Sequence, residues 1–177
     1  MASDITSGRT CPGKPSQGGL KNAFFVPYIE NGFTHANGTV TGLNVGITEV
    51  FKYVLKSDNN KLTETMVGSK ENGTTVVNQE LILSLKKIDA ATQNEVKLLS
   101  HNYPHIIVQD QMDNYQIVGL QDGCNVTSAP KETGGGKGDF NGFNLTFSSQ
   151  EAEYAPILDA TTVTALLALV STTNINP

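Results

Sequence analysis

The sequence predicts a mainly β chain of the α+β kind: a β-sandwich or half-barrel with one flanking α-helix and extended loops. Three observations point there. Charged residues make up only 16% of the 177 residues and aromatics 7%, with no tryptophan, 17 glycines and abundant threonine, asparagine and valine. That composition favours short strands joined by turns over a helical bundle. Two stretches, EVFKYVLKS and TVVNQELILSLKKI, alternate apolar and polar residues with the period of two that a half-buried strand requires. Turn signals such as Asn72-Gly73 and Asp113-Asn114 separate the strand-like runs.

Residues 1–19 read as a flexible or extended arm, because SGRTCPGKPSQGG holds two prolines, four glycines and almost nothing to bury. LKNAFFVPYI is the first strand, with Phe25 and Tyr28 as its candidate buried aromatics and Pro27 demoting it to an edge or a bulge. Glu30 to Gly46 reads as a loop rich in Asn, Gly and Thr. In EVFKYVLKS, Phe51, Tyr53 and Leu55 face the core against Lys52 and Lys56. A strand over Leu62 to Val67 turns at Asn72-Gly73 into the long strand over 75–88. There Val77, Leu81, Leu83 and Leu85 share one face, and Glu80, Ser84 and Lys86 share the other.

Asp89 offers an acceptor to the free N–H groups of a helix whose narrow apolar stripe is Val96 and Leu99, flanked by Ala91 and Leu98. Pro104 ends it, and Ile106, Ile107 and Val108 start a hairpin over 105–120. Gly119 to Thr127 continues as strand or bend, and Ala129 to Asp139 is a loop carrying four glycines. Phe143, Leu145 and Phe147 fall on one face of the next strand. The tail, LDATTVTALLALVST, reads as a helix capped by Asp159, with Val163, Leu166, Leu167 and Val170 at i, i+3, i+4 and i+7. Its threonine content also permits a strand. The organisation is thus an arm at 1–19, one β domain at 20–158 and a C-terminal segment at 159–177. The expected core is Phe51, Tyr53, Leu81, Leu83, Leu85, Val96, Leu99, Ile107, Phe143, Leu145 and Phe147.

Little in the chain points to chemistry. A formal net charge of −5 argues against gripping nucleic acid by neutralising phosphates. Cys11 and Cys124 make no disulfide framework and read as unpaired thiols. The opening segment has no apolar signal region, and Val163 to Val170 falls far short of the roughly 20 residues a membrane span needs. Four Asn-x-Thr sequons, at Asn37, Asn72, Asn125 and Asn144, reflect composition rather than glycosylation in a chain with no such signal.

The glycine loop does not match a phosphate-binding loop: Lys131 stands where the first glycine belongs, Gly138 stands where the hydroxyl belongs, and a strand follows. His101 and His105 are four apart, but Pro104 breaks the helix between them. Asp110, Asp113 and Asp122 need no role beyond turn formation. No catalytic, cofactor-binding or metal-binding residue is expected, and the chain does not read as an enzyme.

The order strand, short helix, IIVQDQMDNYQIVGLQDG and GDFNGFNLTFSSQEAEYA, from about Phe51 to Ala155, resembles the tail tube proteins of tailed bacteriophages. The resemblance implies a structural virion protein made in the host bacterial cytoplasm and resident in the tail. Such proteins form hexameric rings that stack around a channel, with DNA passing transiently and without specific binding. The partners implied are further copies of the same chain and other tail proteins. Gly134, Gly135, Gly136 and Lys137 would then be assembly contacts, in a loop ordered only against a neighbour. Two other readings stand beside this one: a different ring-forming tail part, such as a terminator or an injection-machine tube, and an extracellular β-sandwich binding module. The missing secretion signal and the absent tryptophan weigh against the last.

Overall fold

The computed structural model describes residues 7–175; residues 1–6 of the expected arm and 176–177 of the tail lie outside the described residues. Residues 7–18 are exposed and carry neither helix nor strand. The strands follow as β1 (Leu20–Val26), β2 (Phe33–Ala36), β3 (Thr39–Leu43), β4 (Phe51–Val54), β5 (Lys61–Ser69) and β6 (Thr74–Lys86). Helix α1 (Ala90–His101) precedes β7 (His105–Asp110), β8 (Tyr115–Val118), β9 (Asn125–Ser128), β10 (Lys131–Glu132) and β11 (Gly142–Glu151). The chain closes with β12 (Ile157–Leu158) and helix α2 (Ala160–Ala168).

Two sheets result. The first has seven strands in the order β2-β3-β12-β8-β7-β1-β4, antiparallel except where β12 runs parallel to β3. The second has five, in the order β10-β11-β6-β5, with β9 also pairing on β11. Inward side chains of both sheets form one core: Ala23, Phe25, Ile106 and Val108 against Leu81, Leu83, Leu145 and Phe147. The rings of Phe25 and Phe147 meet across the gap at 5.6 Å. The molecule is therefore mainly β, with two sheets and two helices.

Strands β1 and β7 read as near-continuous apolar runs, FFV and HIIV, and the structure gives the reason. A strand buried on both faces loses the alternation of a half-exposed one. The opposite parity of the same strands, Phe24, Val26 and Ile107 with Ile117 of β8, faces a second core. Phe33, Val40, Ile47, Val50, Leu158 and Leu166 cover it. Helix α2, capped by the Asp159 side chain on the Thr162 N–H at 2.7 Å, supplies Leu166 there with no exposed surface.

Several expectations change. Phe51 is not a core residue: it is 39% exposed, because among the described residues β4 is an outer edge strand bonded only to β1. Tyr53 is half-buried and Leu55 buried, so the alternation was right and the strand's place decided the rest. Ile107 is buried, but in the second core rather than beside Leu81 and Phe147. Strand β1 is interior, between β7 and β4, because it ends at Val26 before Pro27 has to join a ladder. The stretch from Glu30 to Gly46 is no plain loop but holds the β2–β3 hairpin, and Tyr28, expected inside, is 44% exposed past the end of β1. Beside the one flanking helix of the expected sandwich, the tail forms the Asp159-capped helix that its spacing predicts. Leu85, Val96 and Leu99 sit half-buried on the rim of the first core, while Leu81, Leu83, Phe143, Leu145 and Phe147 are buried as expected.

Candidate functional site

The glycine loop is built from within. Lys131 and Glu132 are not loop but the short strand β10 on Phe143 and Gly142. The Lys131 ammonium donates to Gln93 Oε1 on α1 at 3.0 Å, and the Asn144 amide donates to Glu132 Oε2 at 3.0 Å. Beyond β10 the chain turns through Gly134, which holds φ +69, a conformation that costs a glycine little. The N–H groups of Gly135 and Gly136 then donate to Asp139 Oδ2 at 2.9 and 2.6 Å. Those bonds from Gly136 and Gly135 hold the Asp139 carboxyl below its ordinary range.

The structure thus brings Gly134, Gly135 and Gly136 together over Asp139, with Lys137 exposed at the tip. A loop expected to order only against a neighbour already has a closed turn in the single chain. The sequence signal was an Asp following a glycine cluster, since Asp side chains bond nearby backbone N–H groups in turns.

Beside the loop lies the outer face of the second sheet. Register places Thr65, Asn78 and Gln150 in one row, and Thr63, Glu80 and Ser148 in the next. Lys61, Ile82 and Thr146 make a third, followed by Ser84 with Asn144. Hydrogen bonds knit the rows: Gln150 Nε2 donates to Asn78 Oδ1 at 3.0 Å, and the Ser84 hydroxyl donates to Asn144 Oδ1 at 2.7 Å. The face is thus largely hydroxyl and amide in character with few charges, its apolar members being Ile82 and, toward the β5–β6 turn, exposed Val67 opposite Val76. Among the described residues, β5 pairs only with β6, so the far side of this nine-residue strand is an open edge.

At the opposite end of the sheet, polar side chains staple the two layers. Buried Gln79 donates from Nε2 to Glu64 Oε1 at 3.0 Å and accepts the Gly119 N–H at 3.0 Å. Buried Glu151 accepts the Gln121 N–H at 3.1 Å and the Ser149 hydroxyl at 3.2 Å. Every buried side-chain nitrogen or oxygen among the described residues has a partner, so these groups spend their polarity on the fold. Gln79 and Glu151 escaped the sequence reading. Their signal was a polar residue at inward parity in an otherwise apolar strand face.

The residues weighed for chemistry are scattered. His105 is buried with Nδ1 2.6 Å from the Gly119 carbonyl and Tyr28 stacked on its ring, whereas His101 lies exposed at the end of α1. Asp110 accepts the N–H groups of Met112 and Asn114, and Asp113 pairs with Lys21 at 2.7 Å, so both organise the β7–β8 turn. Cys11 is exposed and free, while Cys124 is free and buried, its thiol pushed well up by burial. Among the described residues no three His, Cys, Asp or Glu gather as a metal site, and no helix is long and apolar enough to cross a membrane.

Fold and surfaces together define a two-sheet, mainly β protein with two helices, a polar outer sheet face and an open strand edge beside it. No family model, no curated protein and no solved structure matches the chain.

Proposed function

We propose that the chain is the tube subunit of a bacteriophage tail: a structural virion protein that closes into hexameric rings, which stack around a channel for DNA. The observation that carries this reading is the polar outer face of the second sheet, bounded by the open edge of β5. An unpaired edge is a template for another strand, and a ring of identical copies pairs every such edge.

The sheet is about four strand rows wide, because β9 and β10 share one side of β11. Six copies would give about 24 strands. At about 4.8 Å per strand and a tilt near 40°, they would enclose a barrel about 48 Å across between backbones, ample for a duplex. Threonine, serine, asparagine and glutamine hydrate a passing polyanion without neutralising its phosphates, and tight binding to DNA comes from that neutralisation. The net charge of −5 adds mild repulsion.

In this role the chain needs no cofactor and performs no catalysis. It would be made in the host cytoplasm, reside in the tail and meet other tail proteins at the tube's ends. Negative-stain microscopy of the purified protein over a concentration series is the test, with tubes of constant width expected. Single rings that never stack would favour a tail terminator, and a protein that stays monomeric at high concentration in several salts would sink the proposal.

A further inference from the structure

The charges of this molecule are sorted by end. Where β5 begins, β6 ends and β11 begins, six exposed lysines gather: Lys56, Lys61, Lys86, Lys87, Lys131 and Lys137. The pairing and bonding place them. Lys61 lies opposite Ile82, Lys86 opposite Gly142, and Lys131 opposite Phe143. The Lys86 ammonium donates to the Lys56 carbonyl at 2.7 Å, and the Lys87 N–H donates to the Asn141 carbonyl at 2.7 Å.

Three carboxylates at this end are already engaged: Asp89 caps α1, Asp139 closes the glycine loop and Glu132 holds Asn144. Asp58 is a fourth, exposed carboxylate, and Asp110, bonded into its own turn, lines one hollow with Asp58 and Lys61. The only ion pair among the described residues, Lys21 with Asp113, belongs to the other sheet, so none of the six lysines is paired within the chain.

The opposite end is acidic. Glu71 stands in the β5–β6 turn and Glu153 lies just past the end of β11, both exposed, while Glu151 at that end is buried. Asp122 is next to Gln121, whose N–H Glu151 accepts, and Glu30 follows the Tyr28 whose hydroxyl donates to the Gln121 carbonyl at 3.0 Å. Against the four exposed carboxylates, Glu30, Glu71, Asp122 and Glu153, stands one lysine, Lys70. From Val77 to Lys86, β6 climbs about 30 Å, several Debye lengths at physiological salt, so the two ends do not neutralise each other within one molecule.

We infer that the lysine end of one copy docks on the carboxylate end of the next, so that copies join head to tail through charge. The occupant is a second copy because the two surfaces are complementary and lie at opposite ends of one chain. A heterologous contact of that kind repeats without closing. A nucleic acid is the poorer fit to the lysine end, since five carboxylates are interspersed there and lower the potential a phosphate backbone would meet. The inference rests on the tube reading for what the contact builds, but the contact is separate from ring closure, which runs through strand edges along the sheet.

Charge reversal separates the two. Lys131→Glu with Lys137→Glu makes both ends acidic, and Glu71→Lys with Asp122→Lys and Glu153→Lys makes both ends basic. Sedimentation and negative stain of the full chain, with melting curves to establish folding, should find that each variant alone still forms single rings. Each should need at least about tenfold more protein to stack than the wild type, because like charges now face each other. Mixing the two variants should restore stacking, since opposite ends again meet. Raising salt toward 1 M, where the Debye length falls to about 3 Å, should disperse wild-type stacks into rings.

Variants that stack like the wild type, or a mixture of folded variants that fails to rescue, would overturn the end-to-end contact while leaving the rings. A wild type that forms rings and never stacks at low salt would do the same. A wild type that stays monomeric would overturn both readings. Retention of duplex DNA that is lost in the Lys131→Glu, Lys137→Glu variant would assign the lysine end to a polyanion instead.

Discussion

One carboxylate oxygen, Asp139 Oδ2, receives the N–H groups of both Gly135 and Gly136, and its titration is therefore tied to the order of the loop. The folded-state value lies below the ordinary 3.8. The contribution is accordingly complete above that pH and fades as the pH falls through the lower folded value. Asp139→Ala should lower the amide protection factors of Gly135 and Gly136 several-fold at neutral pH, and acidification below the folded value should lower the same protection factors, taken against the intrinsic rate at that pH, in the wild type. Unchanged protection would mean the loop is held by something else. A second control at this scale is steric. Gly142 passes so close to the Leu85 carbonyl that a Cβ would collide with it, which pins the start of β11 to the end of β6.

Among elements, the two helices differ in what they bury. Helix α1 rests on the first core through half-buried Val96 and Leu99, and Thr92 is its buried residue. Helix α2 inserts Leu166 with no exposed surface into the second core. Deleting a fully buried leucine removes transfer energy and leaves a cavity, so Leu166→Ala should cost about 2–5 kcal/mol in urea denaturation. Leu99→Ala should cost less, about 1–2 kcal/mol, because Leu99 is only half-buried at the rim of its core. Equal losses would mean that α1 lies deeper than the fold places it. The stripe of α1 marks the expected flanking helix, yet the helix with a fully buried leucine in a core is the one at the tail.

For the whole molecule, assembly depends on surfaces that cost nothing to leave exposed in one copy. Deleting Gly134 to Gly136 shortens the connection between β10 and β11 at the lysine end and touches no core residue. The melting temperature should stay within a few degrees of the wild type, a shift worth about 1 kcal/mol or less. Stacking observed by sedimentation should fall. A deletion variant that assembles normally would make the loop a spacer. Compared with the two charge-reversal variants, it distinguishes the loop's shape from its lysines.

Much of this was legible without coordinates, and for local reasons. Alternation in EVFKYVLKS and TVVNQELILSLKKI, the caps at Asp89 and Asp159, and the turns at Asn72-Gly73 and Asp113-Asn114 all depend on neighbours in the chain, and each element formed where those signals stand. The mainly β class followed from them. Of the candidate site, Gly134, Gly135, Gly136 and Lys137 were legible as an exposed loop, but the Asp139 bonds that close it and the ends on which the lysines and carboxylates gather were not.

Tertiary structure decided which strand is an edge, which face of a doubly buried strand meets which core, and which residues converge. Phe51 is exposed although its alternation fits, because among the described residues nothing pairs beyond β4. Ile107 and Ile106 are adjacent apolar residues in β7, yet they serve different cores, since α2 covers a face that no local pattern announces. Lys61 and Lys131 are seventy positions apart in the chain and share one end only through β6 and β11. Strand order is a property of long-range pairing, and a residue's parity says which way it points but not what it will meet there.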